Sequence, residues 1–231
     1  MAEIPIWVEK FSDAFLVWNL EEVKSLRENY RIVGSFVGCL SQCTQQNYQL
    51  GLPLMLSSVE VGLLLKNEDE GKDKPDAVVE QSSVTGAESD GDIDATRIVE
   101  PDSLPLKNLI VPIANRNPFA TDEFYDEMSF NDFLPSIDRV RFPVFTDLHN
   151  RGYYITSGLK FGCDYLLYPG DPLAFHASHL VHCAKRSKQF RARDLLSWCR
   201  LGTQVKKIVL LCSVDDESNV AYTSLKWDHT S

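Results

Sequence analysis

The feature that most limits how this chain can fold is a long acidic stretch in its middle. From Asn67 to Pro101, eleven acidic side chains stand against three basic ones, and the wider segment 67–115 is rich in Ser, Gly and Asp and nearly free of aromatics. Ordering a residue costs about 1–2 kcal/mol of backbone entropy. A segment with so little apolar surface cannot offset that cost by burial. It is expected to be an acidic flexible linker. The chain therefore divides into a small N-terminal α/β domain over residues 1–66, the linker over 67–115, and a larger C-terminal domain over 116–231.

The linker also distorts the charge balance. The whole chain carries a formal net charge of −10, which argues against a nucleic-acid partner. Yet the run from Lys185 to Lys207 holds eight basic residues and one acid, Asp194. A local basic patch of this kind neutralises phosphates, or else is simply a solvated face. No window approaches the ~18 consecutive apolar residues of a membrane span. Met1-Ala2-Glu3-Ile4-Pro5 lacks the basic start and apolar core of a signal peptide. The six cysteines include no C-x-x-C pair, which fits a reducing compartment. Cys39 and Cys43 are four apart, but no nearby histidine or second pair completes a zinc site, so they read as ordinary thiols.

In the N-terminal domain, Ile4 to Val8 and Ala14 to Trp18 have strand character. Asn19 is placed to cap a helix carrying Leu20, Val23 and Leu26 on one face. Arg31 to Val37 reads as a strand, and a second helix is expected from Ser57 or Ser58 through Leu65. This domain contains no histidine and no paired carboxylates that would suggest catalysis, so a docking or scaffold role is expected. In the C-terminal domain, Phe124 to Phe145 is aromatic-rich and partly helical. Phe145, Leu148, Gly152 and Ile155 repeat at helical spacing, which predicts a helix from Phe145 to Thr156 ended by Gly158. Asp164 to Tyr168 is a strand cut off by Pro169-Gly170-Asp171-Pro172. Phe175 to Cys183 is a second strand, and a helix closed by Gly202 follows. Lys207 to Cys212 and Val220 to Trp227 complete the domain as strands. The expected order is helix, strand, strand, helix, strand, strand. The fold class is α/β of the α+β kind, its C-terminal mixed sheet flanked by helices.

His176, His179 and His182 invite a metal reading. On a helix, His176 and His179 could share an ion. The segment reads as a strand, where His179 faces away and His176 and His182 lie about 20 Å apart at ~3.3 Å per residue. No metal site is expected. Tyr168 ends a strand at a tight turn, and Lys207 begins one. Taken singly, each has an ordinary structural explanation. Together, His, Tyr and Lys allow one chemistry. RNA carries its own nucleophile, the 2′-hydroxyl. Cleaving it needs a base, an acid for the leaving 5′-oxygen and a cation for the charge building at phosphorus.

The block from Phe145 to Ala177 contains Arg151-Gly152-Tyr153, Gly158-Leu159-Lys160-Phe161-Gly162 and Tyr168-Pro-Gly-Asp-Pro. It resembles the tRNA-splicing endonuclease family, most closely its eukaryotic catalytic subunit for the 3′ splice site. The likeness resumes at Arg200-Leu201-Gly202-Thr203, at Val205-Lys206-Lys207 and at Tyr222-Thr-Ser-Leu-Lys-Trp227. It implies Tyr168 as general base, His176 as general acid and Lys207 as stabiliser of the transition state. Cleavage of intron-containing precursor tRNA would then need no cofactor and leave 2′,3′-cyclic phosphate and 5′-hydroxyl ends. The resemblance further implies that Arg200 and Trp227 sandwich an RNA base for a partner's cut. It implies a heterotetramer with a second catalytic subunit and two structural subunits, no membrane association, and a nuclear location. The competing expectation is a non-catalytic structural subunit of the same assembly.

Overall fold

A computed structural model describes residues 6–11, 14–39, 50–69, 77–81 and 128–227. The first sheet contains β1 (Ile6–Phe11), β2 (Ala14–Val17), β3 (Ser35–Cys39), β4 (Leu50–Leu56) and β5 (Ala77–Gln81) in the order β3-β4-β2-β1-β5. Its pairs are antiparallel except for β1 with β5. Two helices belong to this half, α1 (Leu20–Glu28) and α2 (Ser58–Asp69). Asn19 caps α1 as expected, its side chain accepting from the Glu21 N–H at 2.9 Å. At the start of α2, Ser57 and Glu60 form a capping box. Glu60 Oε2 accepts from Ser57 N at 2.8 Å, and Ser57 Oγ accepts from Glu60 N at 3.4 Å. The second Glu60 oxygen accepts from Gly34 N at 3.0 Å, so the cap also fixes the entry to β3.

Two strands here were not anticipated. β4 reads Leu-Gly-Leu-Pro-Leu-Met-Leu, and its Gly51 and Pro53 resemble chain breakers. The strand survives because the β3–β4 ladder shifts register between Phe36 and Gly38, opposite the Pro53 region. β5 lies within the stretch read as acidic linker, and α2 runs into it as far as Asp69. The remainder of that stretch lies outside the described residues.

The C-terminal half begins with a short helix, α3 (Phe130–Phe133), and a 3-10 turn at Leu134–Ser136. It continues with α4 (Arg141–Asn150), β6 (Tyr154–Ser157), β7 (Tyr165–Tyr168), β8 (His179–Lys185), α5 (Ala192–Gln204), β9 (Ile208–Val214) and β10 (Val220–Leu225). The second sheet has the order β10-β9-β8-β7-β6, antiparallel throughout except for β8 with β9. Among the described residues the fold is α+β, as expected.

Element boundaries differ from expectation here, and the strand β6, absent from the expected order, stands where helix was expected. The helix expected to reach Thr156 stops at Asn150 because Gly152 adopts φ +91°. Tyr153 N then donates to Leu148 O at 3.3 Å and Gly152 N to His149 O at 2.9 Å, a Schellman closure. Ile155, counted as helical, is a buried position on β6. The strand expected from Phe175 begins only at His179, which leaves His176 in the preceding loop. Gly202 does not close α5. It lies inside the helix, where an added Cβ would stand 2.6 Å from Val209 Cγ2 and 2.9 Å from Lys207 O.

The two halves share one apolar core. Phe15 of β2 meets Phe133 of α3 edge-on, with ring centroids 5.4 Å apart. A Cβ on Gly62 of α2 would meet Ile137 Cδ1 at 2.6 Å, so that glycine lets the C-terminal half approach closely. His149 Nε2 pairs with Tyr30 O at 2.7 Å, and Arg31 donates to His149 O at 2.9 Å. Burial lowers the pKa of His149, keeping it neutral at the junction. Phe133→Ala empties the centre of this shared core. It is expected to lower stability by about 3–5 kcal/mol in urea unfolding, with both halves melting in one transition. A separate early transition for the N-terminal half would contradict the shared core.

Candidate active site

The site follows from strand register. Leu167 of β7 pairs with His179 of β8, and His179 pairs with Ile208 of β9. One step towards the same end of the sheet lie Tyr168, Ser178 and Lys207, consecutive across three strands. Backbone bonds hold this row: Ser178 N donates to Leu167 O at 2.8 Å, and Ile208 N donates to Ser178 O at 3.0 Å. Tyr154 of β6 pairs with Tyr168 and extends the row on one side. On the other side, β10 ends its pairing at Leu225 opposite Val209, so Trp227 falls in line with Lys207. His176 enters from the loop two residues before Ser178.

Tyr168 is half-buried, packed with Leu166, Ala177, Leu180 and Val209 in a second apolar cluster beneath α5. Alternation along β9 puts Lys207 on the face of Val209. Its Nζ donates to Ala177 O at 2.7 Å, one residue from His176. Lys206 is exposed, with a left-handed φ of +54° in the turn that ends α5. That geometry separates the two neighbouring lysines: Lys207, not Lys206, reaches the His176 loop. His176 itself is exposed.

The other two histidines have different work. His179 is half-buried against Tyr153, with ring centroids 6.0 Å apart, and its Nδ1 pairs with Ser178 Oγ at 2.8 Å. His182 is buried on the opposite face, stacked on Trp198 of α5 with centroids 3.9 Å apart. Burial lowers both pKa values. The three therefore do not share a site, and among the described residues no cluster of three or more His, Cys, Asp or Glu could hold a metal ion. The expected reason fails in one respect: His176 is not in the strand, so strand alternation says nothing about it. The side chains of the Cys39 and Cys43 pair lie outside the described residues. Cys163, Cys183, Cys199 and Cys212 are free thiols.

Arg200 is exposed on α5, and its guanidinium sits over the Trp227 ring, 5.2 Å from the centroid. The basic run thus splits into two groups. Arg200, Lys206 and Lys207 lie at the end of the sheet that holds Tyr168. Lys185, Arg186, Lys188, Arg191 and Arg193 are exposed at the far end of β8, about 20 Å away at ~3.3 Å per residue.

Sequence reading missed one pair of residues at this end. Arg27 Nε and Nη2 each donate to an Asp171 carboxylate oxygen at 2.8 Å. Arg27 holds the Asp171 carboxyl at a pKa of about 2, helped by the Leu173 N–H. The contribution of this pair is therefore complete above the ordinary carboxylate range and is lost as pH falls towards 2. Asp171 was visible as a turn residue. Its partner, 144 residues away in sequence, carried no local signal.

An α+β domain that gathers a tyrosine, a histidine loop and a lysine at one sheet end offers groups that can take a proton, give one and neutralise charge. Residues 139–222 match the tRNA intron endonuclease catalytic C-terminal domain, and residues 4–68 match the TSEN34-like N-terminal domain. The chain belongs to the tRNA-splicing endonuclease family. It is similar to the tRNA-splicing endonuclease subunit Sen34 of Homo sapiens, at 26% identity over 95% of this chain and 98% of that one. It is also similar to the probable tRNA-splicing endonuclease subunit sen34 of Schizosaccharomyces pombe, at 28% identity over 88% of this chain and 85% of that one. The tRNA-splicing endonuclease of Methanothermobacter thermautotrophicus matches at 31% identity over 44% of this chain and 64% of that one.

Gly202→Ala tests how the lysine is seated. The added methyl group pushes directly on Val209 and on the Lys207 carbonyl. It is expected to cost about 1–3 kcal/mol in chemical denaturation and to lower the cleavage rate. Wild-type stability and rate would show that β9 is not seated through Gly202.

Proposed function

We propose that this chain is the catalytic subunit that cuts intron-containing precursor tRNA at the 3′ splice site, with Tyr168, His176 and Lys207 as its reacting groups. The observation that carries this reading is the transverse row Tyr168–Ser178–Lys207, with Lys207 bonded next to His176. Tyr168 takes the proton of the 2′-hydroxyl, whose oxygen attacks phosphorus. The bond from phosphorus to the 5′-oxygen breaks as His176 gives that oxygen a proton. Lys207 stabilises the negative charge on the non-bridging oxygens while five bonds surround phosphorus. Electrons and protons balance without a cofactor, and the products are a 2′,3′-cyclic phosphate and a 5′-hydroxyl. A neutral phenol is a poor base, so the Lys207 cation is needed a second time, to favour the phenolate.

Arg200 and Trp227 are part of the same proposal as the two sides of a base clamp. Arginine and tryptophan both stack on a nucleobase, and the Arg200 guanidinium stands over the Trp227 ring, 5.2 Å from its centroid. The clamp would serve a cut made by a second catalytic subunit in a four-subunit assembly that also holds two structural subunits. Nuclear residence belongs to the proposal through the family resemblance alone. The alternative, a non-catalytic structural subunit, is disfavoured by the presence of Tyr168 and Lys207 in one row with the His176 loop bonded to it.

In the assembled endonuclease, His176→Ala should abolish 3′ cutting of precursor tRNA and leave 5′ cutting at its normal rate. Loss of both cuts, or of neither, contradicts the assignment. Cleavage should persist in EDTA and leave a cyclic phosphate. A requirement for added divalent metal would overturn the acid–base mechanism.

A further inference from the structure

Helix α1 contains none of the reacting groups, yet its last turn reaches the active-site loop. The two Arg27 nitrogens hold both oxygens of Asp171, each at 2.8 Å. Such a two-pronged contact fixes orientation as well as distance. Asp171 lies between Tyr168 and His176 in sequence and organises the loop that joins them. Its Oδ1 accepts from Leu173 N at 2.7 Å, and its carbonyl accepts from Ala174 N and Phe175 N, both at 2.9 Å. The Phe175 ring lies on Gly170, where a Cβ would stand only 2.5 Å from it.

Beyond Asp171 the loop stands in water. Leu173 is 85% exposed and Phe175 51%. The next anchors are the carbonyl of Ala177, held by Lys207, and the amide of Ser178. His176 is therefore suspended between two fixed points, Asp171 and Ala177. The bonds inside the loop move with it and cannot orient it against Tyr168. Among the described residues, only Arg27 ties the Asp171 carboxylate to something outside the loop. Arg27 has a firm base: Leu26 beside it is fully buried, and Ile32 N closes the helix on Leu26 O at 2.9 Å.

We propose that Arg27 is a positioning residue for cleavage: through Asp171 it sets the loop that presents His176, so the N-terminal domain helps to define the catalytic geometry of the C-terminal one. The inference rests on the reading of His176 as a reacting group. The charge on Arg27 is secured first by its hydrogen bond to Asp171, which outweighs desolvation, and further by Asp171 and Tyr154. With the Asp171 carboxyl held at about 2, the pair stays ionised at any pH suited to an RNA cleavage assay.

The test is single-turnover cleavage of precursor tRNA by the assembled endonuclease, scoring both splice sites. A misplaced catalytic group costs up to about 100-fold in rate. Arg27→Ala and Asp171→Asn should each lower the maximal 3′ rate by roughly 10- to 100-fold, with half-saturating RNA concentration unchanged. The double variant should be no slower than the worse single variant, because both changes remove the same contact. Arg27→Lys should recover part of the rate. The 5′ rate reports folding and assembly and should stay at the wild-type value. Normal 3′ rates in both single variants, additive losses, or equal losses at the two splice sites overturn the inference. His176→Ala is run alongside. If it cuts normally, the reading of the site fails and this inference with it. If it is inactive while Arg27→Ala is unimpaired, this inference alone fails.

Discussion

The proposed active site depends on one parallel strand pair. β8 and β9 run side by side with His179 opposite Ile208, and a parallel connection needs a crossover, which α5 supplies. That crossover returns the chain along the length of the sheet, so Lys207 stands just before β9, at the level where β8 starts. The antiparallel partner β7 ends at the same level, with Tyr168 as its last residue. Three residues distant in sequence thus become neighbours through backbone hydrogen bonds, which are short and cooperative. A slip of one residue in either ladder would turn Tyr168 or Lys207 to the opposite face.

The same row places the proposed base clamp at the end of the domain that holds the proposed reacting groups. Trp227 follows β10 to the level of Lys207, and Arg200 reaches it from α5. The distal basic group at the other end of β8 is too far to touch the reacting phosphate. Arg200 and Lys207 together give the α5 face a positive charge of the kind that neutralises phosphates. The acidic net charge of the chain is irrelevant to that face, since most of it resides in the segment 67–101.

Sequence reading reached the fold class, the Asn19 cap and the start of α2 because each rests on local chemistry. It placed the helix end wrongly at Gly152, where a glycine that fits helical spacing instead adopts positive φ. It left β4 unread, a strand whose Gly51 and Pro53 are accommodated by a register shift against β3. It treated Gly202 as a stop when its role is close packing against β9. The individual reacting residues had ordinary readings alone, and their selection came from the family resemblance. What no local pattern could show was the register that aligns Tyr168 with Lys207, or the pairing of Arg27 with Asp171. Both depend on contacts between segments far apart in the chain.

The central claim is that the three groups act on one phosphate with distinct roles, His176 donating the proton to the leaving oxygen. A precursor tRNA with sulfur in place of the bridging 5′-oxygen at the 3′ splice site isolates that role, because a thiolate departs without a proton. The account predicts that His176→Ala, inactive on normal RNA, regains cleavage of the sulfur-bridged substrate to near the wild-type rate, while Lys207→Ala stays impaired on both. Failure of His176→Ala to recover, or equal recovery of both variants, would contradict it.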